Sequence, residues 1–433
     1  MITIVMPVYN TGVYLKESIE SILNQTYGDF ELICVDDCSK DALTLELLDA
    51  YEQADERIRI VRLPENVGAA EARNIGLKQA EGEYIIFLDA DDIFDEDMLE
   101  KMHQSLESSD ADMCVCGHRI YSEQSKSVVQ ECQLRNIPGI TDRVFSVKEL
   151  GEEGLLFWAP VPWNKMCGTE FLRRNNIFFQ NLSSSNDVFY ALMCCLIATG
   201  IVYCDERKPL LTYRTQNENQ ISANRTPINF WWATKKILES ITICEDDVRW
   251  LQIMCSLVVG IIYEINSSID EGKRNECYEI IRAFIQVNKK KLNFKNRRFQ
   301  TYVSFFLENK YESKWFEKVG DFERQLEELD DAVMSSLMNS NRNIVVWGNG
   351  KRGQAFQSYC KKKGIMNIHV TDRKNEAIGE CTEFGYQIVD SESVFGWADI
   401  IVASNYNIYE GLLIRQESQD LEIINLQKYC PLE

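Results

Sequence analysis

Three carboxylates fall within four residues at Asp89-Ala-Asp91-Asp92, directly after the apolar run Tyr84-Ile-Ile-Phe-Leu88. Like charges so close repel one another unless a cation neutralises them. Hard dications such as Mg2+ or Mn2+ take carboxylate and diphosphate oxygens together. An isolated Asp-x-Asp is more often a solvated acidic turn, but here the neighbouring clusters matter. Pro7, Tyr9 and Asn10 close the apolar run Ile2-Thr-Ile-Val-Met6, and Asp36-Asp37-Cys38-Ser39 with Asp41 follows Phe30-Glu-Leu-Ile-Cys-Val35. Asn66-Val-Gly68-Ala-Ala-Glu-Ala-Arg73-Asn74 opens a helical stretch.

The elements that must hold these clusters alternate. Strand-like runs at 2–6, 30–35, 57–63 and 84–88 are separated by stretches with helical spacing at 14–25, 44–54 and 68–80. Continuous apolar strands between helices predict an α/β fold with a mostly parallel sheet covered on both faces. Ligands in such sheets sit beyond the carboxyl ends of the strands, where the four clusters lie. From about 115 to 225 the pattern loosens, with loops at Pro138-Gly139 and 160–162 and a helix over 187–199. Residues 226–340 read as helix, and a second α/β unit begins at Asn343-Ile-Val-Val-Trp347. The expected division is therefore 1–225, 226–340 and 341–433.

Val5-Met-Pro-Val-Tyr-Asn10, Val35-Asp-Asp-Cys-Ser39, Asn66-Val-Gly68, Ala72-Arg-Asn74, Gly82-Glu-Tyr-Ile85 and Phe87-Leu-Asp-Ala-Asp-Asp92 resemble the bacterial family 2 inverting glycosyltransferases of GT-A fold. The resemblance is ordered over residues 1–92 and weaker to about 222. It implies that Pro7, Val8 and Tyr9 lie against a uridine-type nucleoside, with Asp37 on the base edge and Asp36 beside it. Gly68 and Arg73 would help hold the nucleotide, Asp89 would lie near ribose and metal, and Asp91 would be the principal ligand of Mn2+ or Mg2+, assisted by Asp92. Pro162-Trp-Asn-Lys165, Asn186-Asp-Val-Phe-Tyr190 and Leu211-Thr-Tyr-Arg214 resemble acceptor-side segments. Asp187 matches the catalytic base, and its other reading is a helix N-cap. The family's acidic pair is here Asn186-Asp187, so the neighbouring acid is lost. Cys38 stands where the family commonly has glycine, with little expected consequence for function. Trp163 is either a face for a sugar ring or plain core. Asn164 belongs to the same acceptor-side segment, while Lys165 and Arg214 meet phosphates or balance nearby acids.

The chemistry suits these residue types. Breaking an anomeric carbon–diphosphate bond passes through an oxocarbenium-like state, with charge developing on the phosphate. An acceptor hydroxyl needs a base on the opposite face, and in-line attack inverts the anomeric centre. The implied partners are a nucleotide-sugar donor, most naturally a UDP-sugar, and a cell-surface or lipid-linked glycan acceptor. A sugar-nucleotide nucleotidyltransferase would place a Gly-rich basic loop after the first strand, where Pro7-Val-Tyr-Asn10 stands. A non-catalytic assembly protein would have no need of Asp37, Asp89, Asp91 and Asp187.

The C-terminal unit carries Gly348-Asn-Gly350-Lys-Arg-Gly353 directly after a strand, with Asp372 ending the next. That is the context of a dinucleotide fingerprint, in a segment about half as long as the classical double unit. It resembles small Rossmann-like modules attached to bacterial sugar-processing enzymes. Nucleotide binding and a scaffold or homo-oligomerisation role both stay open.

Forty-six Lys and Arg against 67 Asp and Glu leave a net charge of −21, which repels a phosphate backbone and argues against nucleic acid as a partner. Fifteen cysteines without a Cys-x-x-Cys pair, and only three histidines, show no zinc spacing. The N-terminus shows no secretion signal, and the apolar stretch 250–265 reads as a buried helix rather than a span. A cytoplasmic location is expected. The basic run from Lys289 to Arg298 is a solvated helix end or a peripheral contact with the anionic inner face of the plasma membrane.

Overall fold

The structure is a computed structural model. It describes residues 1–132, 143–151, 154–157, 160–204, 209–215, 226–241, 248–267 and 270–292, and beyond them shorter pieces that include 342–348, 353, 356–357, 367–371, 386–390, 398–403 and 422–425. Two compact units emerge, Met1–Lys295 and Asn296–Glu433.

In the first unit the chain alternates β1 (Ile2–Val8), α1 (Val13–Leu23), β2 (Phe30–Asp36), α2 (Ala42–Ala54), β3 (Ile58–Arg62), α3 (Ala69–Gln79) and β4 (Tyr84–Phe87). It continues through β5 (Ile93–Phe94), α4 (Met98–Glu107), β6 (Met113–Val115), β7 (Gly117–Ser122), β8 (Ser127–Cys132), β9 (Lys165–Gly168), α5 (Thr169–Arg174), α6 (Val188–Ile197), β10 (Ile201–Tyr203) and β11 (Pro209–Thr215). The mostly parallel sheet expected from the apolar runs has seven strands in the order β10-β6-β9-β4-β1-β2-β3. β9 is antiparallel to both β4 and β6, which the sequence pattern did not indicate. A second sheet, β5-β11-β7-β8, brings residues more than a hundred positions apart beside the acidic run.

β1 is central, with Ile4, Met6 and Val8 buried on the face shared with Leu15, Ile19 and Leu32. Ile33, Val35 and Ala72 form a core on the other face. Each such side chain contributes about 1.5–3 kcal/mol by leaving water. A proline inside a central strand normally costs a ladder bond. Pro7 escapes because β4 pairs with β1 only as far as Val5. Val5 and Pro7 point their backbone to the same side, so the missing N–H falls beyond the end of β4.

Three helices, α7 (Ile228–Ser240), α8 (Val248–Ser267) and α9 (Glu271–Asn288), lie within the first unit. The stretch read as a buried helix is α8, with Ile253, Met254, Leu257, Ile261 and Ile265 inside. Its polar Gln252 is buried too, and donates to the carbonyls of Val147, Leu150 and Gly151 at 2.7, 2.9 and 3.0 Å. No helix among the described residues is long and apolar enough to cross a membrane. Lys289, Lys290 and Lys291 are exposed just after α9, while residues 293–299 and Pro138-Gly139 lie outside the described residues.

The second unit contains β12 (Ile344–Trp347), β13 (Ile368–Thr371), β14 (Gln387–Ile388), β15 (Ile400–Ala403) and β16 (Glu422–Asn425), all parallel.

Candidate active site

The loops after β1 and β2 are stitched together by Asn10. Its Oδ1 accepts from the N–H groups of Lys40 and Asp41 at 2.7 and 3.0 Å, and its own N–H donates to Ser39 Oγ at 3.1 Å. Beside this junction Tyr9 stands half-exposed, whereas Val8 is buried and Pro7 is partly covered. Asp41 caps α2 through Thr44, whose hydroxyl and backbone N–H hold its carboxyl below the usual range.

Asp37 is nearly buried, and its two carboxylate oxygens accept from Val67 and Gly68 N–H at 2.7 and 2.8 Å. It therefore pins the turn that starts α3, where Gly68 has φ +90°. A base edge would meet only its remaining lone pairs. Asp36 Oδ1 accepts from Ser39 N–H at 3.0 Å.

Cys38 lies in that loop at φ +62°, a left-handed conformation that explains why glycine suits the position. Cys38→Gly is expected to match or exceed the native stability by up to about 1 kcal/mol, whereas Cys38→Val should lose about 1–2 kcal/mol. Urea unfolding of the two variants checks this; a Val variant as stable as the Gly variant would remove the strain argument.

Asp89 follows β4 and receives the Arg73 guanidinium at 2.6 Å. The other amino group of Arg73 donates to Asn186 Oδ1 at 3.3 Å, and its plane lies 5.2 Å over the Phe179 ring. Asn74 makes a paired bond with Phe179, donating to its carbonyl and accepting from its N–H, both at 2.8 Å. Two consecutive residues of α3 thus hold the segment leading into α6. Asp187, the residue after Asn186, is partly exposed at the N-cap position of α6, yet its side chain makes no capping hydrogen bond.

Asp91 is partly exposed and Asp92 fully buried. Burial above all, then the charges of Asp91 and Asp89, pushes the Asp92 carboxyl well up. Its Oδ1 accepts from Arg214 N–H at 2.9 Å, and its Oδ2 has no hydrogen-bond partner. Among the described residues no group of three or more His, Cys, Asp and Glu side chains forms a self-sufficient metal cage. Asp89 and Asp91 instead offer the one or two carboxylates that suffice when a ligand's phosphate oxygens complete the shell of Mg2+ or Mn2+.

The acceptor-side candidates Trp163, Asn164, Lys165 and Arg214 are all buried. Trp163 is buried, edge-on to His118 at 4.6 Å and stacked on Tyr213 at 5.4 Å, and belongs to the main core. Lys165 is fully buried; its Nζ donates to Val161 O and Asn164 Oδ1 at 2.8 Å each. Burial pushes its ammonium down, against the pull of Cys195, Cys194, Cys167 and Asp187. Asn164 donates to Cys116 O at 3.2 Å. Arg214 pairs with Glu17 and, at 3.5 Å, with Glu123, and covers the Tyr14 ring at 5.1 Å. Tyr14, Glu17 and Glu123 escaped sequence reasoning because each sits in an unremarkable amphipathic context.

A glycosyl transferase family 2 model matches residues 3–150, the part that carries all four strand-end clusters. Glycosyltransferase GlyG of Streptococcus pneumoniae is 32% identical over 244 residues, 54% of this chain and 76% of GlyG. The chain belongs to glycosyl transferase family 2. The glycosyltransferase is also 46% identical over 101 residues to TuaG of Bacillus subtilis, a match spanning 23% of this chain and 40% of TuaG. Among solved structures, S. aureus TarS 1–349 in complex with UDP-GlcNAc superposes with a TM-score of 0.55 at 19% identity, covering 73% of this chain and 91% of that one. That likeness supports the GT-A fold of the glycosyltransferase.

Proposed function

We propose that this glycosyltransferase moves a sugar from a nucleoside diphosphate donor, a UDP-sugar, to a hydroxyl of a growing cell-surface glycan, with inversion at the anomeric carbon. The observation that carries the reading is the Arg73 bridge, which ties Asp89 at the end of β4 to Asn186, next to Asp187 at the start of α6. One guanidinium thereby sets the spacing between the acids on the donor side and the carboxylate on the acceptor side. The uridine would rest against Tyr9 and Pro7, with Asp37 at the base edge. Asp187 would take the proton from the attacking hydroxyl. Asp91, with Asp89, would hold Mn2+ or Mg2+, which when bound offsets the negative charge of the departing diphosphate. TuaG, whose name places it in teichuronic acid biosynthesis, favours a surface polymer as acceptor. The exposed lysines Lys289, Lys290 and Lys291 favour work close to an anionic membrane.

Thermal unfolding with nucleoside diphosphates tests the donor. UDP with Mn2+ at a hundredfold excess over Kd is expected to stabilise the chain by about 2.7 kcal/mol, and UDP without metal by much less. Equal stabilisation by UDP with and without Mn2+ would remove the metal from the proposal. Stabilisation by GDP or dTDP in place of UDP would reassign the base.

A further inference from the structure

Of the second unit's glycine motif, Gly348 and Gly353 are described, whereas Gly350 and Asp372 lie outside the described residues. The bend that leads to Asp187 in the first unit is described throughout, and it is held from two sides. On the α3 side, Asn74 is bonded to Phe179 and Arg73 to Asn186. The other side belongs to α7. Asn229, buried in the first turn of α7, donates through Nδ2 to Ser183 Oγ at 3.0 Å and to Ser184 Oγ at 3.2 Å. The N–H of Thr226, just before α7, donates to the same Ser184 hydroxyl at 3.0 Å. In the sequence Asn229 is one polar residue in a helical stretch; its serine partners, 45 and 46 positions away, come from the fold.

Between the two grips lies a strained residue. Ser185 has φ +55°, a left-handed conformation that residues other than glycine adopt at a cost. Its hydroxyl is shielded from water and has no hydrogen-bond partner, so no side-chain bond offsets that cost. Its carbonyl accepts from Val188 N–H at 3.3 Å, at the start of α6. A residue persists in such a conformation only where its surroundings over-determine it. Here the surroundings are Asn229 and Thr226 on one flank and Arg73 on the other.

We infer that Asn229 is a positioning residue for the transfer reaction: through Ser183 and Ser184 it holds the Ser185 bend, and with it the place of the Asp187 carboxylate. The inference rests on the proposed role of Asp187 as base. A base must stand within about 3 Å of the hydroxyl whose proton it takes. A displacement of about 1 Å is enough to slow a step by about a hundredfold. Arg73 fixes Asn186 from one side only, and a bend under backbone strain relaxes once the opposite side is released. By this route a helix outside the parallel sheet contributes to turnover.

Two measurements on the full chain test this. Hydrogen exchange of the peptide 179–190, read by mass spectrometry, reports on the bend without any substrate. Asn229→Ala is expected to exchange there about tenfold faster than the native protein. Turnover is read as UDP release, with water as acceptor, from whichever of UDP-glucose, UDP-galactose and UDP-GlcNAc the native protein hydrolyses. Asn229→Ala is expected to lower kcat by about 10–100-fold at unchanged donor KM. Placed on Asp187→Asn it is expected to cost nothing further, since a residue that acts through Asp187 then has nothing left to position. Ser185→Gly removes the strain and no hydrogen bond; it is expected to melt no earlier than the native protein yet to turn over about fivefold more slowly. A merely structural role would not slow a variant that is at least as stable. Native exchange or native kcat in Asn229→Ala overturns the inference and leaves Asp187 as base. An equal loss in the native and Asp187→Asn backgrounds also overturns it. Should Asn229→Ala not fold, native turnover in Ser185→Gly does so. Native turnover in Asp187→Asn alone refutes the base itself, and the inference falls with it.

Discussion

Asp187→Asn is expected to lower kcat by about 10²–10⁴-fold, with donor affinity and melting temperature nearly unchanged. The substitution separates the two roles open to this residue. Asparagine caps a helix as well as aspartate does, so a residue that only caps α6 would lose nothing on the exchange. A carboxylate that accepts a proton would lose its basicity at constant shape. The Asp187 side chain makes no capping hydrogen bond although the residue occupies the N-cap position, an observation in keeping with the proposed base. Asn186 adds to this argument. Where the family usually has a second acid, this chain has an amide whose oxygen accepts from Arg73. Asp187 is therefore the only carboxylate of the two positions. UDP release from the accepted donor, measured with and without acceptor, reads the effect. Native turnover in Asp187→Asn would return the residue to a structural role and leave the base to be found elsewhere.

The second large effect is expected at Asp91. Asp91→Ala should reduce turnover by on the order of 10³-fold and abolish the Mn2+ dependence of UDP binding, while the protein stays folded. Asp91 is partly exposed, and its removal relieves repulsion on the buried Asp92. Asp92→Ala makes the contrast. Its Oδ1 holds the Arg214 N–H, so its loss strands a buried donor and should cost about 1–3 kcal/mol of stability. The two neighbouring acids would thus separate into one that serves the ligand and one that serves the fold. Circular dichroism melting curves alongside the UDP titration decide it. An Asp91→Ala protein that still responds to UDP only with Mn2+ would move the metal to other ligands.

Both predictions rest on how the site is neutralised. The protein is strongly acidic, and among the described residues the guanidiniums of Arg73 and Arg214 are engaged, Arg73 with Asp89 and Arg214 with Glu17 and Glu123. An anionic diphosphate entering beside Asp89 and Asp91 would meet net negative charge. The dication proposed above would offset that charge.

The sequence by itself determined the strands β1 to β4 and the helices between them, because each is a continuous apolar run or a 3.6-residue pattern that sterics and burial convert locally into one element. It determined as well that four polar clusters end those strands, since a parallel sheet places its carboxyl ends on one edge. Tertiary structure decided what local pattern does not encode. β9 enters the sheet antiparallel, and Arg214 reaches Asp92 through a second sheet, both pairings between residues far apart in the chain. For Trp163 a sugar-facing and a core reading both stood, and Lys165 read as a partner for phosphates or acids; both are buried, because their environment is supplied by His118, Tyr213 and Val161, which local pattern does not bring to them. Asp37 read as a ligand-facing acid and also proves to brace the turn before α3, a role visible only once Val67 and Gly68 are brought to it. In the second unit a glycine spacing announced a turn, whereas the order β14-β13-β12-β15-β16 depends on strands whose short runs carry no signal of it.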